Sequence, residues 1–434
     1  MGHTGHTSTD DLMALLDASP SPFHAAAEVT RRLSAAGSVA VDATATWTAD
    51  DVVGFRHLAR DGAVIAWRFD SAATPPTEIR IVGAHTDSPC LRLKPRPDAA
   101  AHGWRQLDVE IYGGVLHNSW LDRDLGLAGR VIDAGGRSHL VRSGPVARVP
   151  QLAIHLDRGV NDGLKLDPQT HLIPVWGLGD TRGDIASWLA GLAGVDHAAW
   201  WEVCLFDTQP AAVIGRDGEL LASGRLDNLV SCWAATQALI DSGPAPTGRL
   251  HVMVLNDHEE VGSASATGAE GPLLEQVLLR IVTALGGDPA DLARILGASS
   301  CISADNAHAI HPNYPERHDA QHAPRVNAGP AVKVNVNQRY ATSAMTAAMF
   351  EQACRAAGVP WQVFSSRNNM PCGSTIGPIT ATRLGVDTVD VGVPQLSMHS
   401  ARELCGVDDP THLTGALSAY WSDAVASPSG TTGG

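Results

Sequence analysis

A chain of 434 residues exceeds the size at which one hydrophobic core stops growing, so two packed units are expected, and 44% hydrophobic against 18% charged residues is the balance of an ordinary soluble globular protein. A net charge of -15 with no offsetting Lys/Arg-rich run repels phosphate backbones and anionic lipid heads, which argues against nucleic-acid and membrane-surface partners. The polar, His/Thr-rich start lacks a signal-peptide pattern, no stretch is apolar for long enough to span a bilayer, and seven scattered cysteines without a Cys-x-x-Cys pair read as buried free thiols, so a cytoplasmic protein without a disulfide framework or zinc ribbon is expected.

In chain order, residues 1–10 are small and polar, as are residues 426–434, and both ends are expected to lie outside the fold. Asp11 to Ala36 shows helical spacing of apolar residues around the break Ser19-Pro20-Ser21-Pro22, which predicts two short helices followed by a strand pair. Ile79 to Val82 reads as a strand delivering His85, Asp87 and Ser88 at its C-terminal end. From about Lys94 to Leu220 the texture changes to short strand-like pieces (Leu107 to Tyr112, Gly129 to Ile132, Gln151 to Leu156) broken by Gly, Asp and Pro. The α/β pattern then resumes with a helix over Leu226 to Leu239, and with strands at Leu250 to Leu255 before Glu259 and Glu260, at Cys301 to Ala304 before Asp305, and at Thr388 to Val393 before His399. The predicted fold class is α/β: an open-sheet catalytic domain made of residues 1–93 and 221–434, interrupted by a β-rich insert over residues 94–220.

The functional signal lies in the polar groups that follow these strands: His85, Asp87, Asp227, Glu259, Glu260, Asp305 and His399. Converging without counterions, they would be prohibitively costly, and a mixture of imidazole and carboxylate suits zinc, manganese or cobalt better than calcium or magnesium. Singly each is a weak sign: His-x-Asp is most often a solvated loop pair, Glu-Glu an exposed helical pair, and Asp227 as readily a helix cap. Taken in order they supply a complete set for two divalent ions. Asp227 can bridge both, His85 and Asp305 complete one, and Glu260 with His399 the other. Asp87 is spaced to accept the His85 ring N–H and fix its tautomer. Glu259 is then the candidate general base, taking a proton from water and returning it to the leaving amine.

These residues and their flanks closely resemble the aspartyl aminopeptidase family of dinuclear zinc metallopeptidases. The resemblance runs through Ser21-Pro22-Phe23-His24-Ala25, Gly83-Ala84-His85-Thr86-Asp87-Ser88, Tyr112-Gly113-Gly114, Trp120 to Arg123, Leu152 to Leu156, Asp257 to Ser263, Ser303 to His308, Cys372 to Pro378 and Met398-His399-Ser400. It implies an aminopeptidase that prefers peptides with N-terminal Asp or Glu. It implies the same five metal ligands, with Asp87 and Glu259 as supporting and catalytic acids. It further implies that the insert is a dimerisation domain, that dimers build a tetrahedral dodecamer, and that His155 reaches a neighbouring subunit's active site to stabilise the tetrahedral intermediate. One departure stands at Asn369, where family members often carry an acidic residue; it lies outside the metal set.

A preference for acidic residues requires a positive group in the pocket, since burying the substrate carboxylate unpaired costs several kcal/mol. Lys333, in the alternating stretch Val332-Lys333-Val334-Asn335, is the leading candidate, set against a lysine on a solvated strand face, and His308 and His311 are alternative donors. The rival readings are a carboxypeptidase or deacylase on the same scaffold, a broader aminopeptidase, and a non-catalytic cargo or binding protein.

Overall fold

Largely apolar runs such as Ile79 to Ala84 and Leu250 to Leu255, each broken by a single basic residue (Arg80, His251), suit a sheet covered on both faces. In the computed structural model, which describes residues 4–71, 74–179 and 184–426, they occupy adjacent central strands, Glu78–His85 and Arg249–Asn256, paired in parallel from Glu78 opposite Arg249 to His85 opposite Asn256. The next strands outward on that side, Ser300–Ala304 and Asp387–Gly392, run in the same direction. The remaining five strands complete a nine-stranded mixed sheet: Val39–Ala40, Gly54–Arg60 and Ala63–Phe69 at one edge, Ala331–Val334 and Gln362–Ser365 at the other. Gly54–Arg60 and Ala63–Phe69 form the expected strand pair, closed by a turn at Asp61-Gly62 in which Asp61 has φ 53°.

Alternate residues of the central strands feed two cores. Val82, Ala84, Met253 and Ile302 face the first two helices, the helix Leu226–Asp241 and the last helix, Asp409–Trp421. Ile81, Val252, Val254 and Cys301 face the helices Leu273–Ala284 and Pro289–Leu296. Five of the seven cysteines are buried, and all seven are free thiols. Arg80, itself buried, donates from its guanidinium to the carbonyls of Tyr420, Ser422 and Val425, tying the end of the described chain to the central sheet.

Residues 90–207 supply a separate six-stranded antiparallel sheet, in the order Ser138–Arg142, Leu125–Asp133, Ala198–Asp207, Cys90–Ala101, Trp104–Tyr112, Val175–Leu178. It has its own core of Leu91, Leu107, Leu127 and Val203, with Ile185 and Leu189 of the helix Ile185–Ala193. A small five-stranded sheet joins Ala212–Ile214, Leu220–Ser223, Glu403–Gly406, Pro394–Leu396 and Ala307–His308.

Two local expectations need correction. Gln151 to Leu156 is not a strand: its alternating Leu152, Ile154 and Leu156 are all exposed, and the backbone turns, with the Leu156 N–H on the Ala153 carbonyl, because among the described residues no strand lies alongside to pair it. The first helix, Thr4–Ala18, begins inside the segment expected to lie outside the fold, because Leu12, Leu15 and Leu16 bury one face of it in the core. Residues 1–3 and 427–434 lie outside the described residues. The second helix, Pro22–Ala35, starts where its sequence directs, with Ser21 as N-cap and Pro22 in the first turn.

Candidate metal centre

Five separate segments bring the predicted groups together. His85 ends its strand, and Asp305 immediately follows the strand Ser300–Ala304. Glu259 and Glu260 form the 3-10 turn Glu259–Val261 that follows the strand Arg249–Asn256. Asp227 stands at the start of the helix Leu226–Asp241, but its φ/ψ of -82°/103° and those of Asn228 are not helical, so regular helix begins only after them. His399 follows the small-sheet strand Pro394–Leu396 and holds a left-handed φ of 67°, an uncommon state for a residue with a Cβ.

Asp227 is the centre of the constellation. Its Oδ1 lies 3.5 Å from His85 Nε2 and its Oδ2 lies 3.6 Å from His399 Nε2. His85 Nε2 is also 3.5 Å from Asp305 Oδ1, and His399 Nε2 is 3.3 Å from Glu260 Oε2. Both imidazoles are held from behind: His85 Nδ1 is 3.0 Å from the Asp87 carbonyl and His399 Nδ1 is 3.0 Å from the Gly114 carbonyl. A carbonyl can only accept, so each Nδ1 carries a proton and each Nε2, directed at carboxylate oxygens, is the nitrogen left to serve as a metal donor. A nitrogen and carboxylate oxygens at these separations need a cation between them, either a proton or a metal ion. Two ligands about 2.05 Å from one tetrahedral zinc stand about 3.3 Å apart, close to the separations seen here. Single ligand atoms of His85, Asp227 and Glu260 all lie within 4.8 Å of one another, and Asp227 Oδ1 and Glu260 Oε1 are buried without a hydrogen-bond partner. The donor set therefore fits divalent metal, and Asp227 is not acting as a helix cap.

Asp87 works differently from the expectation. It meets His85 Nδ1 through its backbone carbonyl, its carboxylate being farther away at 3.4 Å. The carboxylate instead accepts the N–H groups of Glu259 (3.0 Å) and Glu260 (3.1 Å) and the Tyr112 hydroxyl (2.8 Å), so it holds the turn that carries both glutamates. Tyr112 and Glu403 are two polar residues of the site to which sequence reasoning did not assign a role. Tyr112 had a signal, its place in the motif that precedes Gly113-Gly114. Glu403 had none, being one acid in a short strand.

The electrostatics express the same crowding. Burial alone would lower the His85 pKa, but Asp227, Asp305 and Asp87 around it hold it well above the ordinary imidazole value. Burial, reinforced by Asp305 and Asp227, pushes the Glu259 carboxyl up to about 8, and burial with Asp227 raises Glu260 as well. Five carboxyl groups, those of Asp87, Asp227, Glu259, Glu260 and Asp305, are thus gathered around two imidazoles and one lysine.

A cavity of about 610 Å3 is lined by Asp227, Glu259, Glu260, Asp305 and His399, and also by His308, Lys333, Tyr340 and Ser374. Lys333 is 2% exposed, which disposes of the solvated-face reading; its Nζ lies 3.2 Å from both Asp305 Oδ2 and the Asn306 carbonyl. His311 is not brought to the cavity wall, because its ring packs on Tyr314 (centroids 4.9 Å apart) and its Nδ1 takes the Asn313 N–H. His155 is exposed on the irregular segment 150–174 and does not line the cavity of its own chain, and Asn369 is exposed in a turn away from it.

The profile of the family described as Aminopeptidase I zinc metalloprotease (M18) matches residues 15–421 of this chain. A Streptomyces coelicolor protein named Probable M18 family aminopeptidase 2 is 54% identical over 424 residues, covering 96% of this chain and 97% of that protein. A Pseudomonas fluorescens protein of the same name is 48% identical over 423 residues, covering 95% and 97%. Among solved structures, the chain resembles one from the complex of Ape4 and Nbr1 (TM-score 0.92, 34% identity, 97% of this chain and 87% of that one). It also resembles one from the S. cerevisiae mApe1 dodecamer (TM-score 0.84, 26% identity, 96% of each chain). The mixed α/β fold and the matched sequence together make this chain a member of the M18 family of zinc metallo-aminopeptidases.

Proposed function

We propose that the chain removes N-terminal residues, preferentially Asp and Glu, from peptides, using two divalent cations, most naturally zinc. His85 and Asp305 would hold one, Glu260 and His399 the other, and Asp227 would contribute an oxygen to each. The observation that carries this reading is Asp227, whose two oxygens face the Nε2 atoms of two imidazoles at 3.5 and 3.6 Å. Bound there, two divalent ions supply Lewis acidity toward the scissile carbonyl and make water more acidic.

The chain's own groups do the rest. Glu259, lining the cavity with its Oε2 3.9 Å from His85 Nε2, takes the proton of the attacking water and delivers it to the departing amine. Asp87 keeps Glu259 aimed by gripping its N–H. Lys333 presents a buried ammonium to the side chain of an acidic first residue, and His308 on the same wall supplies a further donor.

The domain division at residues 94–220, pairing of subunits through that insert, and a dodecamer in which His155 of one subunit serves the site of another belong to the same proposal. They are supported by the separate core of the six-stranded sheet, by His155 lying away from its own cavity, and by the dodecameric relative. No helix among the described residues is long and apolar enough to cross a membrane, and buried free thiols suit a reducing cytoplasm. The test is a panel of Asp-, Glu-, Leu- and Ala-terminated substrates with metal analysis of the same sample. Two metal ions per chain and highest kcat/KM on the acidic pair are expected; a single ion, or a preference for Leu, would overturn the corresponding part.

A further inference from the structure

We infer that Glu403 is a positioning residue that fixes Asp227 and His399 relative to each other, and so sets the geometry in which a cation is held; this rests on the reading of those two residues as ligands. Glu403 opens the strand Glu403–Gly406 and is 2% exposed. Its two oxygens are divided between the two ligands: Oε2 accepts the Asp227 N–H at 3.0 Å and Oε1 accepts the His399 N–H at 2.8 Å. Neither ligand is held by regular backbone, since Asp227 departs from helical φ/ψ and His399 sits at φ 67°. A single carboxylate therefore replaces the ladder or helix bonds that would otherwise orient them.

The chemistry of the donors explains why this residue is a glutamate. Oε1 also accepts Gln395 Nε2 at 3.2 Å, so three N–H donors converge on two oxygens. Only a group that accepts at both ends satisfies them; an amide would turn its own N–H groups toward one of the donors. No Lys or Arg pairs with Glu403 among the described residues, and a buried carboxylate held only by neutral N–H donors is a costly arrangement for packing alone. The network continues inward. Gln395 Oε1 accepts Asn306 Nδ2 at 2.9 Å, and Asn306 follows Asp305 and receives Lys333 Nζ on its carbonyl. Glu403 thus stands at the root of a hydrogen-bonded chain that touches both sides of the proposed metal pair.

The experiment measures zinc affinity of the full-length, metal-free protein by competition with a chromophoric chelator, alongside its thermal midpoint. Glu403→Gln is expected to weaken zinc binding by about 10- to 100-fold, the usual consequence of removing a group that orients a ligand. Asp409→Asn is the structural control: Asp409 is likewise fully buried and accepts two backbone N–H groups, those of Asn327 (2.6 Å) and Gly329 (2.8 Å), but touches none of the ligands. It is expected to lower the thermal midpoint and leave zinc affinity unchanged. Should Glu403→Gln fail to fold, Gln395→Met removes one donor from Oε1 and should weaken zinc by about 3- to 10-fold. Asp227→Ala, which should lose zinc outright, is the reference. If it keeps wild-type zinc affinity, the metal-centre reading itself fails. If it loses zinc while Glu403→Gln or Gln395→Met binds as wild type, or if Asp409→Asn loses zinc in parallel, the positioning role alone is overturned.

Discussion

Replacing Lys333 by Met separates two roles that the geometry superimposes. The ammonium lines the cavity and is shared with Asp305 Oδ2 at 3.2 Å, so the substitution removes both a partner for an acidic substrate and the neutraliser of a proposed ligand. A hydrogen bond to a charged group is worth about 1.5–3 kcal/mol, which corresponds to roughly 10- to 150-fold in kcat/KM. Because Asp305 already engages the lysine, the lower half of that range is expected for the selective part. Disturbance of Asp305 acts on every substrate alike, so the ratio of kcat/KM for Asp- and Glu- to that for Leu- and Ala-terminated substrates isolates the pocket role. Steady-state kinetics on the four substrates, at saturating zinc, is the assay. A selectivity ratio that stays at its wild-type value while all four rates fall together would refute the specificity role and leave Lys333 as the counterion of Asp305.

Glu259→Gln should retain its metal and lose about 10²–10⁴-fold in turnover, as expected for a general base; a variant with near-normal turnover, or one stripped of metal, contradicts the assignment. Mixing inactive Glu259→Gln chains with inactive His155→Ala chains should restore part of the activity once subunits exchange, and demonstrated exchange without recovery would exclude action between subunits. Acid stability should report His251, which is fully buried with both ring nitrogens unpartnered and stacks on Trp421 at 5.9 Å. Burial, helped by Arg249, Arg80 and Arg68, lowers its pKa from 6.5 to about 3. Below pH 6.5 the unfolded chain binds a proton that the folded chain refuses, so stability falls by up to about 1.4 kcal/mol per pH unit until the folded pKa is reached. Urea unfolding of His251→Phe between pH 6.5 and 4 should give a shallower pH slope than wild type, and identical slopes would reject the linkage.

The central strands were legible because burial on both faces writes an apolar run that periodicity analysis reads directly, as in Leu250 to Leu255. The proposed ligands were legible for a related reason: a polar residue immediately past such a run, like His85 or Asp305, has few places to go but the sheet's C-terminal edge. What escaped was decided by tertiary partners. Leu152, Ile154 and Leu156 alternate like a strand, yet strand formation needs a neighbour, and none among the described residues pairs with them. Asp87 was correctly placed beside His85 but does its work with a different atom, because the amides of Glu259 and Glu260 compete for its carboxylate. Glu403 acquires its role only when folding sets it against Asp227 and His399, a meeting that no local pattern encodes.

The grip of Arg80 on the carbonyls of Tyr420, Ser422 and Val425 bears on how the protein is made. A nascent chain exposes His85 early, but the arginine just ahead of it in the same strand has no carbonyls to hold until the final helix has left the ribosome. His399 also emerges late. A chain ending before His399 would lack both the last proposed ligand and the carbonyls that Arg80 grips. A chain ending between His399 and Tyr420 would keep that proposed ligand yet leave the buried Arg80 guanidinium without these acceptors, so a short C-terminal deletion is expected to lower stability.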